Sequence, residues 1–336
     1  MGNIMTGREL INQIMSHKSS GKVPYSIILT TEAYNIYGDS LLAEYHNDQV
    51  MRDFNNGLIS KMQAVSLAIG NHLLYVSPPW WDWNITDNSF SRHDPPDYLP
   101  DTVGNGSYSG FFSQIKHLRE HYDVYILATI YGSHWEKAYF SRGIENFLAD
   151  LAGNTEWAQS LLDMIIRKNI VMLENFLTAP EIDAVLLGSD WGTQRGLIMS
   201  PECFKKMIKP GEKQEIDLIK KYGKKVFIHS CGDILAIIND LAELGIDCLN
   251  PVQPECMDIS SLKDKYGLKM SFYGGISTQD TLPFGNPEEV RAETKKVIEL
   301  MSVNGGYITS PSQDIQTDVP YENLRALIET AREYVK

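Results

Sequence analysis

The densest chemistry in the sequence lies in Phe227-Ile228-His229-Ser230-Cys231-Gly232-Asp233. A His-x-Cys pair at the end of an extended run sends both side chains toward one point, and a soft thiolate beside an imidazole suits Zn²⁺. The same spacing also occurs in purely structural pairs; what favours ligation by His229 and Cys231 is their place where a strand ends. Glu255, after another extended run, is of a type to supply a third ligand and equally of a type to be a solvated loop acid. Cys256 stays unassigned, while Cys248 within its run and Cys203 in a first helical turn read as small packing residues. Four cysteines in 336 residues are too few for a disulfide scaffold and read as reduced thiols.

Other strand ends carry polar groups as well: Asp190 after Ala184–Leu187, Gly274-Gly275 after Met270–Tyr273, and Gln313-Asp314 after Tyr307–Thr309. In parallel α/β folds such positions gather on one face. Gly274-Gly275 matches neither dinucleotide nor P-loop spacing, so close backbone approach is the expected reason for the glycines. Aromatic residues form a second group, with Trp80, Trp81 and Trp83 in a Pro/Gly/Asp-rich stretch and Tyr131 and Trp135 after Val124–Ile130. Aromatics so placed either cap a core or wall a pocket for a flat substrate.

Short apolar runs that alternate with stretches of helical period must position these residues. Besides those named, Lys225–Ile228 and Cys248–Asn250 read as strands, with Tyr25–Leu29 and Leu73–Val76 as weaker candidates. Between them, Tyr321–Val335 places Leu324, Leu327, Ile328 and Ala331 on one helical stripe. Ser200-Pro201-Glu202 and Asn286-Pro287-Glu288-Glu289 carry a capping side chain, a first-turn proline and acids near the positive end of a helix. Strand–helix alternation implies parallel strands joined by crossover helices, and eight strands predict a single (β/α)₈ TIM barrel over residues 1–336 with an elaborated N-terminal region.

Composition narrows the function classes. With 30 Lys+Arg against 43 Asp+Glu the net charge is −13, and no basic run is present, which excludes nucleic acid as an expected partner. No apolar stretch approaches the ~20 residues that span a bilayer, and Met1 to Lys18 lacks the apolar centre of a signal peptide, so a cytoplasmic protein without membrane contact is expected.

Several motifs stand together: Asp183 to Gln194, Ile198-Met199-Ser200-Pro201-Glu202, Lys224 to Asp233, Asn250-Pro251-Val252-Gln253-Pro254-Glu255, Tyr273 to Gln279 and Ser310 to Gln316, with a fainter echo from Trp135 through Arg142-Gly143 to Asp150. With these the chain resembles the uroporphyrinogen decarboxylase superfamily, and in particular its corrinoid-dependent methyltransferase branch. The resemblance implies a (β/α)₈ barrel that binds a methylated or methyl-accepting substrate and docks a separate corrinoid protein; a homodimer is compatible with it. In relatives that methylate thiols, a His-x-Cys pair and a later Cys hold zinc. His229 and Cys231 match the pair, whereas the later position falls near Gln313, a poor zinc ligand. True decarboxylases hold substrate carboxylates with an arginine-rich N-terminal motif, and no equivalent lies between Arg8 and Arg52.

The expected activity is therefore O-demethylation: a methyl group passes from a small methylated compound, a methoxylated aromatic by the aromatic cluster, to the Co(I) corrinoid (cobalamin) of a partner protein. Breaking an aryl methyl ether needs a positioned nucleophile and stabilisation of the departing phenolate, by zinc or by a neutral carboxylic acid. On this reading His229, Cys231 and Glu255 are metal ligands, and Asp190, His229, Gln194 and Asp314 are catalytic. Trp80, Trp81, Tyr131, Trp135 and Gln313 contact substrate. The alternatives are transfer from methyl-corrinoid to a folate or thiol, uroporphyrinogen decarboxylation, and a non-catalytic partner of a corrinoid protein.

Overall fold

The computed structural model describes residues 6–80, 107–130 and 133–335. Its strands in chain order are β1 (Leu73–Val76), β2 (Tyr125–Ile130), β3 (Ala184–Gly188), β4 (Gly192–Thr193), β5 (Gly196–Leu197), β6 (Lys225–His229), β7 (Cys248–Val252), β8 (Ser271–Ile276) and β9 (Tyr307–Pro311). β4 and β5 make a small antiparallel hairpin, and the other seven form one sheet in the order β1-β2-β3-β6-β7-β8-β9. The pairs β2–β3, β3–β6, β7–β8 and β8–β9 are parallel. Every residue of β2, β3, β7, β8 and β9 is buried. Strands covered on both faces read as unbroken apolar runs, which is how they appear in the sequence.

Residues Tyr25–Leu29 stand in the place of an eighth strand. Parallel bridges join Tyr25 to Thr309 and Leu29 to Ile315 on one side, and on the other the His72 N–H donates to the Tyr25 carbonyl at 3.0 Å. The segment thus lies between β9 and the start of β1, the place of one further strand. At Ile27 both backbone groups bond the side-chain amide of Asn71, at 2.9 Å each. A side chain there replaces the backbone ladder, so the segment shows isolated bridges rather than a continuous strand.

Four helices, Gly7–Met15, Thr31–Glu44, Asp48–Asn55 and Lys61–Ala68, precede β1 and make up the elaborated N-terminal region. The chain divides into two compact units, one of Met1–Tyr75, Gln114–Ile126 and Asp247–Lys336, the other of Val76–Ser113 and Leu127–Ile246. Among the described residues no helix is long and apolar enough to cross a membrane.

Helix starts follow their chemistry. Asn286 caps Pro287–Met301 in a reciprocal box with Glu289, at 3.0 and 2.8 Å. Asn286→Ala leaves the Glu289 N–H without its side-chain acceptor, while the backbone N–H of residue 286 keeps Glu289 Oε2, and is expected to cost about 1 kcal/mol in urea unfolding with no change in the folded far-UV spectrum. In β8, a Cβ on Gly274 would lie 2.5 Å from the Val252 nitrogen. Close approach between neighbouring strands therefore accounts for that glycine.

Candidate functional site

Adjacent strands β3 and β6 end in register, with Gly188 opposite His229. Beyond that pair the two chain ends are cross-linked three times. The Ser189 N–H donates to the His229 carbonyl at 2.8 Å, the Cys231 N–H to Asp190 Oδ1 at 2.8 Å, and the Trp191 N–H to Ser230 Oγ at 3.1 Å. These bonds bring three chemically different donors together. His229 Nε2 lies 3.5 Å from Cys231 Sγ and 3.7 Å from Asp190 Oδ1, and the three ligand atoms are all within 4.8 Å of one another. A tetrahedral zinc centre with Zn–S of ~2.3 Å and Zn–N of ~2.05 Å separates S from N by ~3.6 Å, so the donor set fits such an ion with little movement. The His229 side chain is 13% exposed and that of Asp190 40%, which leaves the group open to a small molecule on one side.

Glycine makes the crossing possible. A Cβ on Gly192 would lie 2.5 Å from the Cys231 carbonyl oxygen, and one on Gly232, at φ +80°, 2.6 Å from Gly192 C and Thr193 O. The Asp233 N–H donates to that Thr193 carbonyl at 2.8 Å. Gly232→Ala would impose left-handed strain and drive the two strand ends apart. We expect a loss of about 2 kcal/mol or more in urea unfolding, with activity falling further than stability explains because the Asp190–Cys231 contact opens.

From beneath, Trp135 braces this corner. Its indole N–H donates to the Asp190 carbonyl at 3.0 Å, and its ring meets Tyr139 and Phe147 at centroid separations of 5.3 and 5.7 Å. Expected to contact substrate, Trp135 instead has no exposed surface. The helix His134–Arg142 turns it into the core. Trp80 is half-buried, and its indole N–H has no partner among the described residues. Trp81, Trp83 and Tyr131 lie outside the described residues. Gln194 sits exposed on the hairpin between β4 and β5.

Glu255 belongs to the other unit and is not among the atoms converging on His229 and Cys231. Its Oε1 accepts from Ser277 Oγ at 2.5 Å and from the Gln279 N–H at 3.3 Å. Asp190, expected as a catalytic group and not as a ligand, is the third member of that group of donors. In that same unit Gln313 and Asp314 follow β9 half-buried, and the Gln313 side-chain oxygen accepts from the Asp314 N–H at 3.1 Å. Cys248 is a fully buried core residue whose thiol burial pushes well above its ordinary pKa.

A parallel strand–helix fold with a thiol, an imidazole and a carboxyl group at adjoining strand ends is the arrangement of the α/β class whose polar groups gather at the strand termini. Within that class the chain belongs to the uroporphyrinogen decarboxylase (URO-D) family, which it matches over residues 85–334. It is 24% identical over 239 residues to a methylated-thiol–coenzyme M methyltransferase of Methanosarcina mazei, covering 71% of this chain and 61% of that protein. To the methylcobamide:CoM methyltransferase MtaA of Methanosarcina barkeri it is 28% identical over 141 residues, or 41% of this chain and 38% of the relative. The matches thus span less than two thirds of either curated relative. Among solved structures, a methyltransferase from Methanosarcina mazei superposes with a TM-score of 0.71 at 18% identity, covering 99% of this chain and 100% of that one, a likeness of fold.

Proposed function

We propose that the protein is a corrinoid-dependent methyltransferase that carries a methyl group from a small methylated donor, a methoxylated aromatic, to the Co(I) corrinoid of a separate corrinoid protein. The observation that carries this reading is the convergence of Asp190, His229 and Cys231 at the ends of β3 and β6 in a chain of this family. Its relatives' names supply the methyl chemistry: they are a methylated-thiol–coenzyme M and a methylcobamide:CoM methyltransferase.

On this reading oxygen is the leaving atom. A nitrogen, a thiolate and a carboxylate would hold zinc with a position left for substrate, and the metal when bound supplies Lewis acidity toward the ether oxygen. The chain's own residues supply the rest. The Cys231 N–H pins Asp190 Oδ1 at 2.8 Å, which orients the carboxylate. Trp80 offers a half-buried aromatic face. In the reaction the methyl carbon–oxygen bond breaks with its electron pair on oxygen, the methyl carbon bonds to the cobalt nucleophile, and the phenolate takes a proton from solvent.

A second reading rests on the CoM in both relatives' names: transfer from methyl-corrinoid to a thiol. A panel of trideuteromethoxy aromatics mixed with the enzyme and a Co(I) corrinoid protein separates the two. Trideuteromethyl label on the corrinoid, with one phenol released per label, is the expected result. Label that stays on every donor, while a methylated corrinoid protein loses its methyl group to a thiol, overturns the direction proposed.

A further inference from the structure

Behind the strand ends lies a second cluster of donors that the proposed reaction does not use. His134, first residue of the helix His134–Arg142, meets Glu212 and Glu215, which share one face of the helix Lys209–Lys221. All three side chains are buried from solvent, and their ligand atoms lie within 4.8 Å of one another. His134 Nδ1 is 3.4 Å from Glu212 Oε1 and 3.9 Å from Glu215 Oε2. Among the described residues His134 Nδ1 and Glu215 Oε2 have no hydrogen-bond partner, while the Ser189 hydroxyl bonds the Glu212 carboxyl.

The tautomer sharpens the point. His134 Nε2 lies 3.2 Å from the carbonyl of Ile208, an acceptor only, so Nε2 carries the proton and Nδ1 presents a lone pair. Ile208 ends a π-helical turn, Phe204–Ile208, a distortion that recurs at functional sites. The lone pair therefore faces carboxyl oxygens, an arrangement that calls for a proton or a cation between them, in addition to the buried Lys137 whose charge acts on Glu215. A ring N–H held by a backbone carbonyl, with the other nitrogen free, is also the usual support of a metal-bound histidine. The Asn169 side-chain amide fixes the remaining Glu215 oxygen at 2.8 Å. Gly211 keeps space for the ring, since a Cβ there would lie 2.7 Å from Nε2. Ligand atoms of a tetrahedral centre with bonds of ~2.1 Å stand roughly 3.4 Å apart, close to the separations seen.

We propose that His134 Nδ1, Glu212 and Glu215 bind a divalent first-row transition ion of the zinc class, as a structural centre joining the two helices behind β3. Burial agrees with the geometry: it lowers the His134 pKa to about 4, so the ring is neutral and able to ligate. Burial also raises both carboxyls, and the charge of Glu215 adds to the effect on Glu212. A bound cation offsets that cost. Through Trp135, next to His134 and bonded to the Asp190 carbonyl, the centre would steady the strand end that carries Asp190.

The test uses full-length protein in which His229→Ala and Cys231→Ala disable the other donor set, purified without chelators. Elemental analysis should find about one equivalent of divalent metal, and adding Glu212→Gln and Glu215→Gln should lower it at least ~10-fold. Reloaded with Co²⁺ alone, the first protein should show d–d absorption without a thiolate charge-transfer band. In wild-type crystals, anomalous scattering at the metal edge should place a peak among His134 Nδ1, Glu212 and Glu215, a readout that needs no variant to fold. Crystals with no peak there, or metal content unchanged by the two glutamine substitutions, overturn the proposal and leave a shared proton as what holds the cluster.

Discussion

His229→Ala is expected to lower kcat/KM for methyl transfer by at least ~100-fold, within the range for loss of a positioned acid, base or ligand. His229 Nε2 is the centre of the donor set, 3.5 Å from Cys231 Sγ and 3.7 Å from Asp190 Oδ1. Its backbone carbonyl still accepts from Ser189, so β3 and β6 should stay paired. Because the three donors act as a unit, Asp190→Ala should cost a similar factor and the double variant much less than the product of the two. Purely multiplicative losses in steady-state kinetics would show that the residues act separately.

Trp135→Ala is expected to destabilise the protein by about 3–5 kcal/mol, the cost of emptying a fully buried indole site. The ring has no solvent exposure and packs on Phe147 and Tyr139. Trp135→Phe keeps most of the packing and loses the bond to the Asp190 carbonyl. It should therefore fold with a smaller stability loss while kcat falls and KM for the donor changes little. A stable Trp135→Phe protein with unaltered kcat and a large rise in KM would return Trp135 to the substrate-contacting role.

Much of the sheet was legible because buried parallel strands are continuous apolar runs, and Ala184–Leu187 and Lys225–Ile228 sit within one residue of β3 and β6. Tyr25–Leu29 was readable only weakly, since the Asn71 amide supplies bonds that a neighbouring strand ordinarily would. His229 and Cys231 announced themselves by spacing. Asp190 did not appear as a third donor, because its meeting with them depends on the β3–β6 register, a contact between segments far apart in sequence. Glu255 drew attention by type and position, yet its Oε1 is engaged by Ser277 and Gln279. Trp135 was misplaced for a related reason: sequence puts it after a strand, but the direction in which its helix faces is set by packing. The pairing of His134 with Glu212 and Glu215 was invisible for want of any local pattern linking two helices, although the i, i+3 spacing of the glutamates was there to be read.

The most direct test is a single turnover between the wild-type enzyme, a methoxylated aromatic and the corrinoid protein held as Co(I), before and after metal is stripped and restored. The account predicts loss of the Co(I) absorbance with stoichiometric release of the phenol, slowed at least ~100-fold by stripping and recovered with Zn²⁺. Co(I) that persists against every donor, or turnover at full rate in the stripped enzyme, would contradict it.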